Sequence, residues 1–200
     1  MARYTGPTNK LFRNYGVTDL SARKLTSSMT QYASGQHGQN RKKISEYAVQ
    51  LKEKQKIRLT YLVSEKQFHK YYEKANRKTG VTGTILLQLL ETRLDNVLFR
   101  AGFSVTRRQS RQLVGHGHLL VNGKKVDIPS YILKEGDEIK VREKSNQVFK
   151  EIIEMVDQAQ APAWISVDAE KQTITVERLP EREEIDPEFK EQLIIEFYSK

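Results

Sequence analysis

The sequence contains no cysteine, only one tryptophan and only five prolines among its 200 residues. The absence of cysteine excludes disulfide bonds, thiolate zinc sites and a cysteine nucleophile. No stretch of the sequence approaches the roughly 18 consecutive apolar residues that a membrane span requires. The first residues, MARYTGPTNKLFRNYG, also lack the apolar core of a secretory signal, so we expect a cytoplasmic protein with no membrane partner.

Charge, in contrast, is abundant and unevenly placed. The chain carries 34 basic and 25 acidic residues, which give a formal net charge of +9 at pH 7. Residues 1–60 hold 12 basic and 3 acidic residues, whereas residues 146–200 hold 6 basic and 13 acidic residues. Basic charge concentrated in this way favours a polyanionic partner, and the alternative is a solvated surface that happens to be basic.

The first 43 residues show little periodicity and contain many turn formers, as in TGPTN and SGQHGQNRKK. Their one acidic residue is Asp19, whereas basic residues recur along the segment. This composition predicts an extended basic N-terminal arm over residues 1–43.

A helical domain is predicted over residues 44–91. Ser45 is a suitable N-cap for a first helix, and Ser64 with Gln67 forms a capping-box pattern before a second helix. Gly80 suits the C-terminal cap of that second helix. The first helix is expected to bury Ile44, Ala48 and Leu51 and to turn Lys52, Lys56 and Arg58 elsewhere.

The next segments predict one or two buried helices and then a cationic helix. ILLQLLETRLDNVLFRAG has apolar residues at the spacing of one buried helical face, followed by Gly102. In TRRQSRQLVG, Thr106 is a suitable N-cap and Gly115 is expected to end the helix. At 100° per residue its three arginines share one arc, away from Leu113. The buried face is Leu94, Val97, Leu98 and Ala101, and the arginines are Arg107, Arg108 and Arg111.

A small antiparallel sheet is predicted after the cationic helix. Asn122-Gly123 favours a two-residue type I′ turn, which pairs Val121 with Lys124 and leaves Lys125 on the opposite side of the ribbon. A later strand, EIKVR, is expected to turn Ile139 and Val141 inward. The helix and hairpin together therefore predict a cluster of five cations at one place.

The C-terminal part of the sequence predicts an amphipathic helix between Val148 and Gln160, then strand-like WISV and TITVERL, and a final QLIIEFY that is rich in β formers. The predicted fold class is α+β. It comprises the arm, a mostly helical domain at 44–91 that packs with segment 145–200, a module of helices and antiparallel sheet at 92–153, and a C-terminal strand and helix extension at 154–200.

Other candidate sites receive plainer interpretations. A metal site at His116 and His118 lacks a third ligand of suitable type nearby, so contact with the polyanionic partner or turn packing is preferred. Tyr71 and Tyr72 could stack on bases, although aromatic residues on such helices usually belong to the core. A phosphate-binding P-loop and a nucleophile elbow are both absent from the sequence, so no enzyme, cofactor or small-molecule substrate is expected. The acidic cluster Glu181, Glu183, Glu184 and Asp186 fits a solvated face or a contact to a basic protein.

Several separated motifs resemble a known family in their order and spacing. Between Thr92 and Lys144, TRLDNVLFRAGF, TRRQSRQLVGHGHLLVNGKKVDIPSY and VRE resemble the RNA-binding module named after the fourth protein of the small ribosomal subunit. Outside the module, GQHG, SEYAVQLKEKQKIR, SEKQFHKYYEKA, LPERE and EQLIIEFYSK resemble the bacterial family of that ribosomal protein. The resemblance covers essentially the whole chain.

This resemblance implies a primary binder of 16S-type ribosomal RNA (rRNA) that nucleates assembly of the body of the small subunit and contributes to translational accuracy. It also implies small-subunit protein five as a neighbour and a place beside the path by which messenger RNA (mRNA) enters. The residues expected to bind rRNA are Arg107, Arg108, Arg111, His116, His118, Lys124, Lys125, Lys10, Arg13, Arg23, Lys24, Lys52, Lys56 and Arg58. Those expected near mRNA are Arg41, Lys42 and Lys43.

The sequence departs from the family pattern at two places. Many members hold zinc through cysteines in the arm, and none is present here, so zinc is not expected. Ser34 stands where a proline usually precedes GQHG. Two other functions stay open: a free regulatory or quality-control RNA binder with the same module, and an RNA-modifying enzyme or synthetase, which would need a further catalytic domain. The long basic arm favours the ribosomal role.

Overall fold

The computed structural model describes residues 4–15, 17, 33, 35–40, 43–155 and 161–199. The chain forms two compact units, and the first is discontinuous in sequence. The first unit contains the residues up to Leu86 and those from Asp186 onward, and the second unit runs from Leu87 to Ile185. This division differs from the predicted boundaries at residues 91 and 153, because the residues up to 185 belong with the second unit.

Helices make up the regular structure described in the first unit. They are α1 (Thr8–Tyr15), α2 (Glu46–Thr60), α3 (Glu65–Asn76), α4 (Thr82–Glu91), which continues into the second unit, and the C-terminal helix α8 (Glu191–Ser199). The predicted cap of α2 is confirmed, since the Ser45 hydroxyl accepts a hydrogen bond from the amide of Ala48 at 3.3 Å. Ser64 precedes α3, but its side chain makes no capping bond, so the predicted capping box is wrong.

The N-terminal arm contains more structure than the sequence predicts. Helix α1 lies within the segment expected to be extended. Phe12 on this helix and Val17 just after it are buried together with Leu59 of α2. The contact explains the difference, because an eight-residue helix is marginal in isolation and gains stability by burying an apolar face.

Helix α2 buries polar residues where the sequence predicts apolar ones. Ile44 is 64% exposed, whereas Gln50 and Lys54 are buried. The reason is that α8 packs on α2 and supplies partners: Gln50 donates to Glu196 at 3.1 Å, and the Lys54 ammonium lies 4.5 Å from the centre of the Phe197 ring. Buried polar groups of this kind are tolerated when they are hydrogen-bonded or paired.

The segment QLIIEFY is helical, so its β-rich composition predicts the wrong structure. Ile194 is fully buried in α8, and Tyr198, four residues later, donates from its hydroxyl to Glu65 at 2.9 Å. Burial, and then the hydrogen bond to Glu65, raise the pKa of Tyr198 far above its ordinary value, so this hydroxyl remains a neutral donor. Packing on one helical face overrides the weak β propensity.

The second unit packs three further helices on an antiparallel sheet. The helices are α5 (Leu94–Arg100), α6 (Arg107–Gly115) and α7 (Asn146–Met155), and the strands are β1 (Leu119–Val121), β2 (Lys124–Lys125), β3 (Glu138–Val141), β4 (Ile165–Asp168) and β5 (Thr173–Val176). The strand order is β2-β1-β3-β5-β4. The α+β class is therefore confirmed, and the predicted C-terminal strands extend the sheet of the module.

The core of the second unit follows the predicted pattern closely. Leu94, Val97, Leu98 and Ala101 are all fully buried. Ile139 and Val141 of β3 point into the same core while Lys140 is exposed, as predicted. Helix α7 begins at Asn146, two residues earlier than expected, and its predicted end at Gln160 lies outside the described residues. None of the described helices is long and apolar enough to cross a membrane.

Candidate nucleic-acid interface

The first turn of α6 is fixed by the predicted cap. Thr106 has an extended backbone, and its hydroxyl accepts a hydrogen bond from the amide of Gln109 at 3.1 Å. On the opposite face of the helix, Leu113 and Val114 are buried in the core of the second unit. Helix α6 is thereby held with a defined rotation about its axis, and this rotation decides where its arginines lie.

Arg107 differs from its predicted place on an exposed cationic arc. The side chain is buried, with 6% of the residue exposed. Its Nε donates to Asn96 Oδ1 at 2.9 Å, and its guanidinium carbon lies 4.4 Å from the centre of the Phe99 ring. A guanidinium stacked on an aromatic face with a hydrogen-bonded edge is a favourable buried arrangement for arginine. Arg107 therefore faces α5 and presents little surface to a ligand.

The other two arginines of α6 are more accessible. Arg108 is exposed and Arg111 is half-buried, and both lie on α6. Because residues three apart on a helix are neighbours, these two side chains share one face. They provide the helical part of a cationic surface.

The turn after α6 brings this helix beside the hairpin. Gly115 ends α6 as predicted, and Gly117 takes the left-handed conformation, with φ +72°. A Cβ at position 117 would lie 2.3 Å from Cε of Lys125, so the lysine stem packs directly on this glycine. Arg142 supports the turn, since its Nη1 donates to the Gly117 carbonyl at 3.1 Å.

The hairpin adds two exposed lysines. Asn122 and Gly123 have φ values of 49° and 77°, as the predicted type I′ turn requires, and Val121 pairs with Lys124. The side chain of Asn122 makes two hydrogen bonds. Its Nδ2 donates to Asp137 at 2.8 Å, and its Oδ1 accepts from the backbone amide of Glu138 at 3.0 Å. Lys124 and Lys125 are both exposed on this fixed turn. We refer to Arg108, Arg111, Lys124 and Lys125 together as the cationic surface.

The two histidines beside the cationic surface differ from each other. His116 is exposed, whereas His118 is half-buried and its Nδ1 lies 2.8 Å from the Ser145 hydroxyl. Burial, followed by the charges of His116 and Arg142, lowers the pKa of His118. Among the residues that the structure describes, no group of three His, Cys, Asp or Glu side chains could hold a metal ion.

The basic residues predicted in the first unit have varied surroundings. Lys10, Lys43 and Lys52 are exposed, and Arg13 donates to the Ala33 carbonyl at 3.2 Å. Lys56 is bonded to Glu188 at 2.9 Å, and Arg58 donates to Gln55 at 2.8 Å, so both already have protein partners. Four other predicted residues, Arg23, Lys24, Arg41 and Lys42, lie outside the described residues.

The plainer interpretations of the remaining motifs fit the structure. Tyr71 is 1% exposed and belongs to the core of its unit, while Tyr72 is half-buried against Tyr198, with ring centres 4.7 Å apart. In the acidic cluster, Glu184 forms a bidentate ion pair with Arg178, and this hydrogen bond lowers the pKa of Glu184.

Sequence reasoning missed two buried residues beside α6. Glu91 and Asn96 lie in the core of the second unit, and they connect to Arg107 through hydrogen bonds. Helical spacing gives no sign of this role, since polar residues on a helix are normally assigned to its solvent face. The stretch ILLQLLETRLDNVLFRAG contains several other polar residues, so its composition does not single out these two.

Comparisons with known proteins agree with the fold. The family model described as the ribosomal protein S4/S9 N-terminal domain matches residues 3–91, and the one described as the S4 domain matches residues 92–139. Small ribosomal subunit protein uS4 of Mycolicibacterium smegmatis is 52% identical over 202 residues, and that of Cutibacterium acnes is also 52% identical over 202 residues. Small ribosomal subunit protein uS4A of Symbiobacterium thermophilum is 51% identical over 208 residues, and all three alignments cover the full length of both chains. This chain belongs to the uS4 family of small ribosomal subunit proteins.

Proposed function

We propose that this chain is a structural constituent of the small ribosomal subunit and binds 16S-type rRNA through the cationic surface of its second unit. The observation that carries the proposal is that Arg108 and Arg111 on a capped helix, and the exposed Lys124 and Lys125 beside a fixed turn, all lie inside the segment that matches the S4 domain. The full-length similarity to small-subunit proteins supports the same role here. The proposal involves no catalysis, and a ribosomal role in bacteria carries a cytoplasmic location with it.

The chemistry of the cationic surface suits folded RNA. Arginine makes two parallel hydrogen bonds to a phosphate, and lysine adds a mobile point charge. If each of the four cations neutralises one phosphate, log K should fall with log salt with a slope of about −3 to −4 from this surface alone. Recognition must depend on the shape of the RNA, because side chains cannot read the deep, narrow major groove of an A-form duplex.

A charge-matched pair of variants tests the proposal. Arg108→Ala removes one exposed cation from the cationic surface, and Lys171→Ala removes one from the β4–β5 turn, at the opposite edge of the sheet from β2. We expect Arg108→Ala to weaken binding to transcribed small-subunit rRNA and to reduce the salt slope by about 1, while Lys171→Ala binds like the parent. Equal losses from both variants would mean that only net charge matters and would refute the proposed surface.

We also propose that binding of this protein nucleates assembly of the body of the small subunit and contributes to translational accuracy. The rigid support of the cationic surface favours early binding to RNA, because little side-chain order has to be gained in the complex. Reconstitution without the protein, followed by its late addition, tests the first role: assembly should stall and then recover. A misreading reporter in cells that carry Arg108→Ala tests the second.

Further partners follow from the same family resemblance. We propose contacts with small-subunit protein five and, through Arg41, Lys42 and Lys43, with mRNA where it enters the subunit. Lys43 is exposed, which is consistent with such a contact. Conversion of all three residues to alanine should slow translation through structured messages while subunits still assemble, and crosslinking in purified subunits should recover protein five. If the chain washes off small subunits at moderate salt, a free regulatory RNA binder becomes the better description.

A further inference from the structure

A chain of buried hydrogen bonds joins the end of α4 to the first turn of α6, behind the cationic surface. Its three members are Glu91, the last residue of α4, Asn96 in the first turn of α5, and Arg107 in the first turn of α6. They are 1%, 2% and 6% exposed. Buried polar groups are costly unless their bonds are made, so a connected set at this position requires an explanation.

The side-chain amide of Asn96 can take only one orientation within this set of hydrogen bonds. Its Nδ2 donates to the backbone carbonyl of Glu91 at 3.0 Å and to Glu91 Oε2 at 2.6 Å. Its Oδ1 accepts from Arg107 Nε at 2.9 Å. Rotation of the amide by 180° would place its oxygen against a carboxylate and its amino group against a guanidinium donor. Glu91 therefore determines which atom of Asn96 faces Arg107.

Both ends of the chain of hydrogen bonds are held as well. Arg100 binds Glu91 with two bonds, from Nη2 at 2.7 Å and from Nε at 3.2 Å. At the other end, the Arg107 guanidinium lies against the Phe99 ring at 4.4 Å. Arg107 is thus constrained at its edge by Asn96 and on its flat face by Phe99, and its side chain fixes the rotation of the first turn of α6.

We propose that Asn96 is a positioning residue for RNA binding, acting through Arg107 to set the direction in which Arg108 and Arg111 project. The inference rests on the proposed rRNA binding of the cationic surface. Arg108 follows Arg107 directly, so a shift of the Arg107 backbone moves it by the same amount. Asn96 is neutral and almost completely buried, so its removal changes neither the charge of the protein nor the surface that RNA can touch.

The experiment is a double-mutant cycle between Asn96→Ala and Arg107→Lys, with transcribed small-subunit rRNA as the probe. Arg107→Lys keeps the charge but has neither the Nε that meets Asn96 nor the flat guanidinium that packs on Phe99. Ile152→Val, a conservative change in the core of the same unit, is the matched control for lost stability. Binding is measured at a fixed salt concentration and at a temperature where circular dichroism shows every variant to be folded.

We expect each single variant to bind rRNA about tenfold more weakly than the parent, and the double variant to bind no more weakly than Arg107→Lys alone. Ile152→Val should bind like the parent. Parent-like binding by Asn96→Ala, or a loss in the double variant equal to the product of the single losses, would overturn the inference. If Asn96→Ala does not fold, Arg107→Lys decides alone, and parent-like affinity overturns it. Failure of the parent to bind rRNA would instead refute the proposed function.

Discussion

Replacement of Gly117 by alanine is the most direct test of how α6 and the hairpin are joined. Gly117 has φ +72°, and a Cβ added there would lie 2.3 Å from Cε and 3.0 Å from Nζ of Lys125. Gly115, only two residues earlier, provides the control, because it ends the helix without a left-handed φ and an added Cβ would meet nothing within 4 Å. The same chemical change is thus made in two opposite environments.

The two substitutions are expected to change the stability of the second unit in opposite directions. A left-handed backbone costs a residue with a Cβ about 1–2 kcal/mol, so Gly117→Ala should destabilise the second unit by at least this amount. Gly115→Ala should instead stabilise it by about 0.5 kcal/mol, because alanine loses less backbone entropy than glycine in a helix. For a domain of about 100 residues, 1 kcal/mol changes Tm by about 4–8 °C. We therefore expect Gly117→Ala to lower Tm by about 4–16 °C and Gly115→Ala to raise it by a few degrees.

Thermal melts followed by circular dichroism measure both shifts on the full-length protein. The added methyl group also displaces the Lys125 stem, so Gly117→Ala should bind rRNA more weakly than Gly115→Ala at a temperature where both are folded. A change of Tm in the same direction for the two variants would refute the assignment of the left-handed turn to Gly117. Equal rRNA affinities would show that the position of Lys125 does not depend on this contact.

Three further predictions follow from the second unit. Arg107→Glu should lower the free energy of unfolding by about 3–5 kcal/mol, because it breaks a buried charged arrangement. Arg108→Glu should leave the free energy of unfolding within about 0.5 kcal/mol of the parent and should lower rRNA affinity instead. Urea titrations measure both stabilities, and equal values for the two variants would contradict the burial of Arg107. The lowered pKa of His118 means that the unfolded chain takes up this proton at a higher pH than the folded one. The contribution of His118 to stability should therefore decrease as the pH falls through about 6.5, and His118→Gln should flatten that decrease in Tm measured against pH. A strong chelator should leave rRNA affinity unchanged, since the sequence has no cysteine, and stoichiometric zinc in the purified protein would contradict this.

Local chemistry explains which features could be predicted from the sequence. Thr106 caps α6 because its hydroxyl reaches an amide three residues away, and Asn122-Gly123 forms the hairpin turn because both residues tolerate positive φ. The buried face that begins at Leu94 follows from helical spacing within a single element. In each case the residues that determine the structure lie within about two turns of one another, so the signal is complete in a short stretch of sequence.

The features that could not be predicted depend on partners far away in the sequence. Gln50 is buried because Glu196, 146 residues later, accepts its hydrogen bond. Residues 191–199 are helical because they pack on α2, which outweighs a composition rich in β formers. Arg107 turns inward because Asn96 and Phe99 offer it an acceptor and a ring. Charge at helical spacing cannot distinguish an arginine that binds a ligand from one that holds the helix in place.

The division of the chain into two units has a consequence for the order of folding during synthesis. The second unit is complete once Ile185 has emerged, whereas the first unit requires α8, which is made after it. Domains fold as units while a chain is made at about 5–20 residues per second. The unit with the cationic surface is continuous in sequence and can therefore complete its own contacts without α8, whereas α2 needs that C-terminal partner. The first unit is the last part of this protein to be finished, although most of it is synthesised first.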